Sequence, residues 1–168
     1  MPQGTTLVLR SSEDNGQTWS PIRFPFLGFS DPKTTGNFFQ NQLLWDAQTK
    51  TAHLLIGNVT DGPGGCDGSE NLDGMVLVSS TDRGQTWSKG KPLPLPNSPT
   101  TCLAPTSGHG VQINPKGQLH PGRLLFVGVH NAYHGDVIAY SDDHAKTWQS
   151  SGALHLPGLD EGSIAQMP

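Results

Sequence analysis

The sequence lacks the features that mark most nucleic-acid-binding and membrane-spanning chains. Only 14% of its 168 residues are charged, and the net charge is −4 without a cluster of basic residues. Such a balance favours neither nucleic acid nor an anionic membrane surface as a partner. No stretch approaches the roughly 20 apolar residues of a membrane-spanning helix, and the first residues do not form a signal peptide. We therefore expect no nucleic-acid partner and no membrane span, and the compartment stays open.

Cysteine is scarce as well. Cys66 and Cys102 are the two cysteines, and they show no Cys-x-x-Cys spacing. Two cysteines do not make a disulfide framework, and a zinc site would need further ligands at characteristic spacings. We expect no metal site and no cofactor, and the redox state of the two thiols stays undecided.

Glycine and proline, in contrast, are abundant, with 21 and 14 residues. This composition is typical of many short strands joined by tight turns, and no window shows an apolar period of 3.6 residues over a helical length. Residues 41–57 predict a hairpin that turns at Ala47 to Lys50. Residues 110–130 predict two strands joined by Pro-Lys-Gly and His-Pro-Gly turns. The predicted fold class is all-β.

One sequence motif occurs three times. SSEDNGQTWS begins at Ser11, SSTDRGQTWS at Ser79 and YSDDHAKTWQ at Tyr140. The shared pattern, Ser-x-Asp-x-Gly-x-Thr-Trp, spans residues 12–19, 80–87 and 141–148, and its copies start 68 and 61 residues apart. A predicted strand precedes each copy and an extended segment follows it. Each repeat supplies about four strands, which is the content of one propeller blade.

These three boxes are expected to shape hairpin turns. The carboxylate can accept hydrogen bonds from turn amides, the glycine can take a positive φ, and the Trp can supply a large buried surface. Three equivalent carboxylates on separate blades cannot converge on one substrate, so a structural role is favoured over a catalytic one. In the third box Ala145 replaces the glycine, which predicts a strained or shifted turn. The residues concerned are Asp14, Gly16 and Trp19, then Asp82, Gly84 and Trp87, then Asp143 and Trp148.

The boxes resemble the Asp boxes of the sialidase (neuraminidase) superfamily. Residues 122–148 resemble the family's Gly-Arg-Leu strand and the Ser-Asp-Asp-His-Gly-x-Thr-Trp box that follows it. Residues 159–168 resemble its Asp-Glu-x-x-x-x-Glu-Leu-Pro segment, and residues 44–55 resemble the strand pair after its first box. The resemblance covers essentially the whole chain. It implies a six-bladed β-propeller of which residues 1–168, read as one partial propeller domain, supply about two to three blades.

The resemblance also implies an activity. Members of the family are exo-α-sialidases that remove terminal sialic acid from glycans, including gangliosides, with retention and with a Tyr nucleophile. A Glu base activates the Tyr, an Asp serves as acid/base, and three arginines clamp the sugar carboxylate. We expect most of these groups to lie outside the chain, so that residues 1–168 alone are inactive. The four arginines and two tyrosines here stand in other contexts: Arg10, Arg23, Arg83, Arg123, Tyr133 and Tyr140.

Three positions carry over from the family. The spacing of the Asp-Glu segment puts the base position at Gln166, and glutamine cannot take up a proton as a general base. Glu161 is expected at the rim of the substrate pocket, with a surface carboxylate as the alternative. Asp31, in GFSDP, resembles a pocket aspartate of bacterial sialidases. Asn41 could occupy that place instead, and an Asp-Pro turn is the alternative for Asp31.

Gln166 also leaves a second function open. A non-catalytic Asp-box propeller would keep the frame, lose the base, and bind glycans or act as a scaffold. A third possibility, an Asp-box endo-glycanase, would need paired acidic residues across an open groove.

Overall fold

The computed structural model describes residues 7–24, 37–59, 72–96, 103–114, 116, 119–130, 135–154 and 162–167. These ranges contain ten strands and no helix, which confirms the all-β prediction. The strands are β1 (Asn37–Asp46), β2 (Thr51–Val59), β3 (Leu72–Ser80), β4 (Lys91–Pro92), β5 (Leu103–Pro105), β6 (Gly108–His109), β7 (Val111–Gln112), β8 (Leu124–His130), β9 (Asp136–Ser141) and β10 (Gln149–Leu154).

The strands form two sheets that follow each other along the chain. The first sheet has the order β4-β3-β2-β1-β6, and its strands β1 to β4 are antiparallel neighbours in sequence order. The second has the order β10-β9-β8-β5, and β7 also pairs with β8. Four consecutive antiparallel strands make one propeller blade, so each sheet is a blade. Residues 7–24 form a shorter hairpin before them, joined by a bridge between Leu9 and Arg23, which we call the first hairpin. The described residues thus form two blades and part of a third.

The hairpins turn where the sequence predicts. Strands β1 and β2 pair from Asp46 with Thr51 outward, which leaves residues 47–50 as the turn. The second and third boxes likewise join β3 to β4 and β9 to β10. The hairpin turns and the boxes therefore share one end of the sheets, because β1 runs toward its turn in the same direction as β3 runs toward its box. We call this the box end.

The main core lies between the two sheets. Leu44, Leu55 and Met75 of the first sheet belong to one buried cluster with Phe126 and Trp148 of the second. The rings of Phe126 and Trp148 meet edge to face, with centroids 5.1 Å apart. Burying each such side chain contributes about 1.5–3 kcal/mol, so this cluster fixes how one blade packs on the next.

The opposite face of the first sheet packs against the first hairpin. Leu54, Ile56 and Val78 form a second buried cluster there, with Leu7 and Trp87 packed against it. The three layers are therefore the first hairpin, the first sheet and the second sheet. On the same face of β1, Leu43 and Trp45 remain 45% and 48% exposed.

Candidate functional site

The three boxes fold in the same way. In each, the Asp carboxylate accepts a hydrogen bond from the backbone amide of the Thr four residues later. The distances are 2.8 Å from Thr18 to Asp14, 2.9 Å from Thr86 to Asp82 and 2.9 Å from Thr147 to Asp143. Each Thr hydroxyl also donates to the same carboxylate instead of bonding the backbone. The carboxylate therefore closes the turn, as the sequence predicts.

A serine hydroxyl completes each turn from the other side. Ser80 Oγ accepts a hydrogen bond from the amide of Gly84 at 2.8 Å and donates to Asp82. Gly84 has a φ of 75°, in the left-handed region that favours glycine. In the third box the equivalent Ala145 keeps the conformation, with a φ of 63° and its amide 3.0 Å from Ser141 Oγ. The sequence predicted a turn that is either strained or shifted. The turn is not shifted, and it is strained because Ala145 keeps a positive φ.

The hydrogen bonds keep the box carboxylates ionised. The Thr18 hydroxyl and amide, with the Ser12 hydroxyl, lower the pKa of Asp14 to about 2. The same contacts in the second box lower the pKa of Asp82 to about 2. Burial raises the pKa of Asp143, but hydrogen bonds from Thr147 and Ser141 outweigh it and the net pKa is lowered. Carboxylates with such pKa values and filled acceptor sites are poor proton donors at neutral pH, which agrees with a structural role.

The box tryptophans differ in burial. Trp148 is 5% exposed and lies in the main core, and Trp87 is partly buried against the second cluster. The prediction of a large buried surface is wrong for Trp19, which is 55% exposed. Its indole N–H donates to the carbonyl of Gly16 at 3.1 Å, so the ring folds back on its own turn.

A buried carboxylate that the sequence does not single out joins the blades at the box end. Asp46 has no exposed surface, and it accepts hydrogen bonds at 2.8 Å from Thr49, Gln112 and His144. The amide of Gln48 adds another at 2.9 Å. Burial raises the pKa of Asp46, but the hydrogen bonds from Thr49, Gln112 and His144 outweigh it and lower the pKa to about 2. One anion thus connects the turn at residues 47–50 to β7 and to the third box.

The other end of the second sheet holds a tight polar junction. Thr106 Oγ1 donates to the carbonyl of Gly162 at 2.6 Å and accepts from Gln42 Nε2 at 2.6 Å. The Gly162 backbone lies so close to the buried carboxylate of Asp136 that any side chain at position 162 would overlap with it. Asp136 pairs with Val129 near the end of β8 that is remote from the boxes. We call Gln42, Thr106, Asp136 and Gly162 the inner junction.

Gln166 lies at the box end. Its Oε1 accepts a hydrogen bond from the amide of Asn114 at 3.0 Å, and its side chain is exposed. The neighbouring Ile113 exchanges backbone hydrogen bonds with Arg123 and Gly122, where β8 begins. The segment from Gly162 to Gln166 therefore runs from the inner junction to the box end. Its two ends are separated by about 13 Å at the usual rise of an extended chain.

The described arginines have structural partners or open surroundings. Arg123 binds Asp142 through two hydrogen bonds of 2.7 and 2.6 Å, and its guanidinium lies 4.1 Å from the centre of the Tyr140 ring. Arg10 donates to the carbonyl of Ser20 at 2.8 Å. Arg23 and Arg83 line an open groove beside the first box.

Two of the remaining predicted site residues are not among those that the structure describes. Asp31 and Glu161 lie outside the described residues, as do Tyr133 and both cysteines. Asn41 lines a groove between β1 and the first hairpin, next to Leu9 and Trp87. In the described part of the chain no three His, Cys, Asp or Glu side chains cluster in a way that could hold a metal ion. The same residues contain no helix long and apolar enough to cross a membrane.

Two sheets that each contain four adjacent antiparallel strands and an Asp-box turn define the class as an Asp-box β-propeller. A family model described as "BNR repeat-like domain" matches residues 5–166. The chain therefore belongs to the sialidase and BNR-repeat superfamily. A curated relative, a sialidase of Micromonospora viridifaciens, is 28% identical over 187 residues, which cover 99% of this chain and 27% of the relative. The chain thus spans about a quarter of the length of that relative.

Solved sialidase structures show the same fold. The leech intramolecular trans-sialidase has a TM-score of 0.67 at 15% identity, over 94% of this chain and 40% of its own. The intramolecular trans-sialidase of Ruminococcus gnavus has a TM-score of 0.64 at 15% identity, over 94% and 54%. The Hadza microbial sialidase Hz136 has a TM-score of 0.64 at 21% identity, over 88% and 31%. The chain is part of a sialidase-type β-propeller.

Proposed function

We propose that the protein containing these residues is an exo-α-sialidase that hydrolyses terminal sialic acid from glycoconjugates with retention. The observation that carries the proposal is the match of 99% of the chain to a sialidase, together with the family match over residues 5–166. Sialylated glycans are the corresponding substrates. The family-level class is a glycoside hydrolase, and the reaction and its residues are the proposal.

The chemistry of this proposal does not belong to the boxes. Their carboxylates are ionised and hydrogen-bonded, and Arg123 is already committed to Asp142. The guanidinium groups that clamp the substrate carboxylate, the Tyr nucleophile and the Asp acid/base would come from other parts of the protein. A neutral Tyr suits this substrate because an anionic nucleophile would be repelled by the sugar carboxylate.

The geometry supports Glu161 rather than Gln166 as the contribution of this segment. Gln166 is engaged with the backbone of Asn114 at the box end. Glu161 directly precedes Gly162, which the inner junction holds between Thr106 and Asp136. A backbone held so tightly is a suitable support for a group that must be positioned accurately. We propose that Glu161 is the base that activates the Tyr nucleophile and that Gln166 is a structural residue.

The same contact weakens the non-catalytic alternative. That alternative rests on Gln166 occupying the place of the base, and its hydrogen bond to Asn114 gives Gln166 a structural task instead. We propose Asp31 as a contact to the sugar.

The experiment is turnover of a fluorogenic α-sialoside by the full-length protein, with the anomer of the first product followed by NMR. Release of the α-anomer supports a retaining sialidase. Binding of sialylated glycans without turnover would support the non-catalytic propeller, and release of the β-anomer would overturn the retaining mechanism. Residues 1–168 alone are expected to give no turnover, because the arginines and the nucleophile would be absent.

A further inference from the structure

A cleft of about 530 Å³ opens between the two sheets at the box end, beside the second and third boxes. One wall consists of Leu77 of β3 with Leu93 and Pro94, which follow β4. The other wall is the third-box turn, from His144 to Trp148. Both walls belong to described residues of this chain, and the inner junction lies at the opposite end of the sheets.

Two buried side chains of the cleft carry unused hydrogen-bonding atoms. His53 is 5% exposed, and its Nδ1 lies 2.9 Å from Ser79 Oγ. Its Nε2 and the Nε1 of Trp148, which is also 5% exposed, are buried without a hydrogen-bond partner in the described structure. Each such buried polar atom costs about 1–3 kcal/mol when it stays unpaired. Two of them on one cleft point to a bound group that accepts hydrogen bonds.

The lysine side chains that line the cleft are positively charged. Lys91 and Lys146 line it with exposed side chains, and the described lining residues include no Asp or Glu. This contrasts with the net charge of −4 of the whole chain. Two carboxylates beside the cleft are hydrogen-bonded within the fold: Asp46 to His144 and its own turn, and Asp143 to Thr147. Burial lowers the pKa of His53, so the positive charge comes from the lysines.

We propose that this cleft binds a small organic oxyanion. Its phosphate, sulfate or carboxylate group accepts hydrogen bonds from Trp148 Nε1 and His53 Nε2, and the lysines add charge attraction. The apolar body of the ligand packs on Leu77, Leu93 and Pro94. This inference does not depend on the sialidase proposal, since the cleft shares no residue with the inner junction.

The indole N–H of Trp148 supplies a direct readout. In a ¹⁵N spectrum its signal is assigned by its loss in W148F, and the indoles of Trp19, Trp45 and Trp87, which do not line the cleft, serve as internal references. Phenyl phosphate is the probe. Inorganic phosphate and phenol are the controls, because each contains only one half of the probe. Phenyl sulfate and benzoate then distinguish among the three anionic groups. We expect a saturable shift of the Trp148 signal with phenyl phosphate, a weaker affinity for inorganic phosphate, and no effect of phenol.

Two lysine variants test the charge contribution without disturbing the core. K146Q removes an exposed cation of the cleft, and K116Q removes an equally exposed lysine elsewhere. We expect K146Q to weaken binding of phenyl phosphate about twofold to fivefold and K116Q to leave it unchanged. A Trp148 signal that does not move, or a Trp148 signal that moves together with the reference indoles and without saturation, would overturn the proposal. Equal effects of the two variants would overturn the part assigned to Lys146.

Discussion

His144 Nδ1 lies 2.8 Å from Asp46 Oδ2, and this contact joins two blades across 98 residues of sequence. Asp46 is the last residue of β1, before the turn at residues 47–50, and His144 lies in the turn of the third box. The third box therefore does more than close its own hairpin, because its His144 also holds the neighbouring blade through Asp46.

Removing the Asp46 carboxylate should destabilise the fold strongly. D46A leaves five donors of four residues around a buried site without their acceptor, and we expect a loss of about 3 kcal/mol in the free energy of unfolding. Chemical denaturation measures it. The control E13A removes an exposed carboxylate and should change the free energy by less than about 0.5 kcal/mol. Similar effects of the two substitutions would contradict the anchoring role.

The same residue predicts an acid dependence of stability. The pKa of Asp46 is about 2 in the folded chain against 3.8 as its ordinary value, so the folded state binds this proton less readily than the unfolded state. The stabilisation is complete above pH 3.8 and declines as the pH falls toward 2. Unfolding curves of wild type and D46A between pH 6 and pH 2 should converge at the acid end. A gap that stays constant over this range would rule out the linkage.

Replacing Ala145 with glycine should stabilise the fold. A145G removes the strain of a side chain at a φ of 63°, and we expect a gain of about 0.5–1 kcal/mol in the free energy of unfolding. The reverse change in the second box, G84A, adds a side chain at a φ of 75° that would lie 3.2 Å from Leu9. It should lower the melting temperature. A melting temperature that falls in A145G would show that the third turn is not strained.

Gly162 and Asp136 should behave as a coupled pair. G162A forces a methyl group into the Asp136 carboxylate, and overpacking of this kind costs about 1–3 kcal/mol. D136A opens the space, so the double variant should lose less stability than the sum of the two single changes. Additive losses would mean that the close approach does not govern this junction.

The features that the sequence predicted correctly depend on contacts between residues that are close along the chain. The box turns are closed by contacts between residues no more than four positions apart, such as Ser80 with Gly84. Their residue types therefore indicate their geometry. The turn at 47–50 follows from the alternation of the two strands that flank it. The contact of Gln166 with Asn114 spans 52 residues and depends on how the segment after the second sheet docks. No local pattern contains that information, nor does one reveal that Trp19 stays exposed where Trp148 is buried.

The most direct test of the account compares two residues of one segment. Full-length protein with E161Q should lose at least about a hundredfold in kcat on a fluorogenic sialoside while keeping its affinity for a sialic acid analogue. Q166A should keep kcat within about threefold and lose a little stability, because it gives up one exposed hydrogen bond. Full activity of E161Q, or a loss of turnover in Q166A alone, would contradict the assignment of the chemistry to the end of the propeller that bears the inner junction.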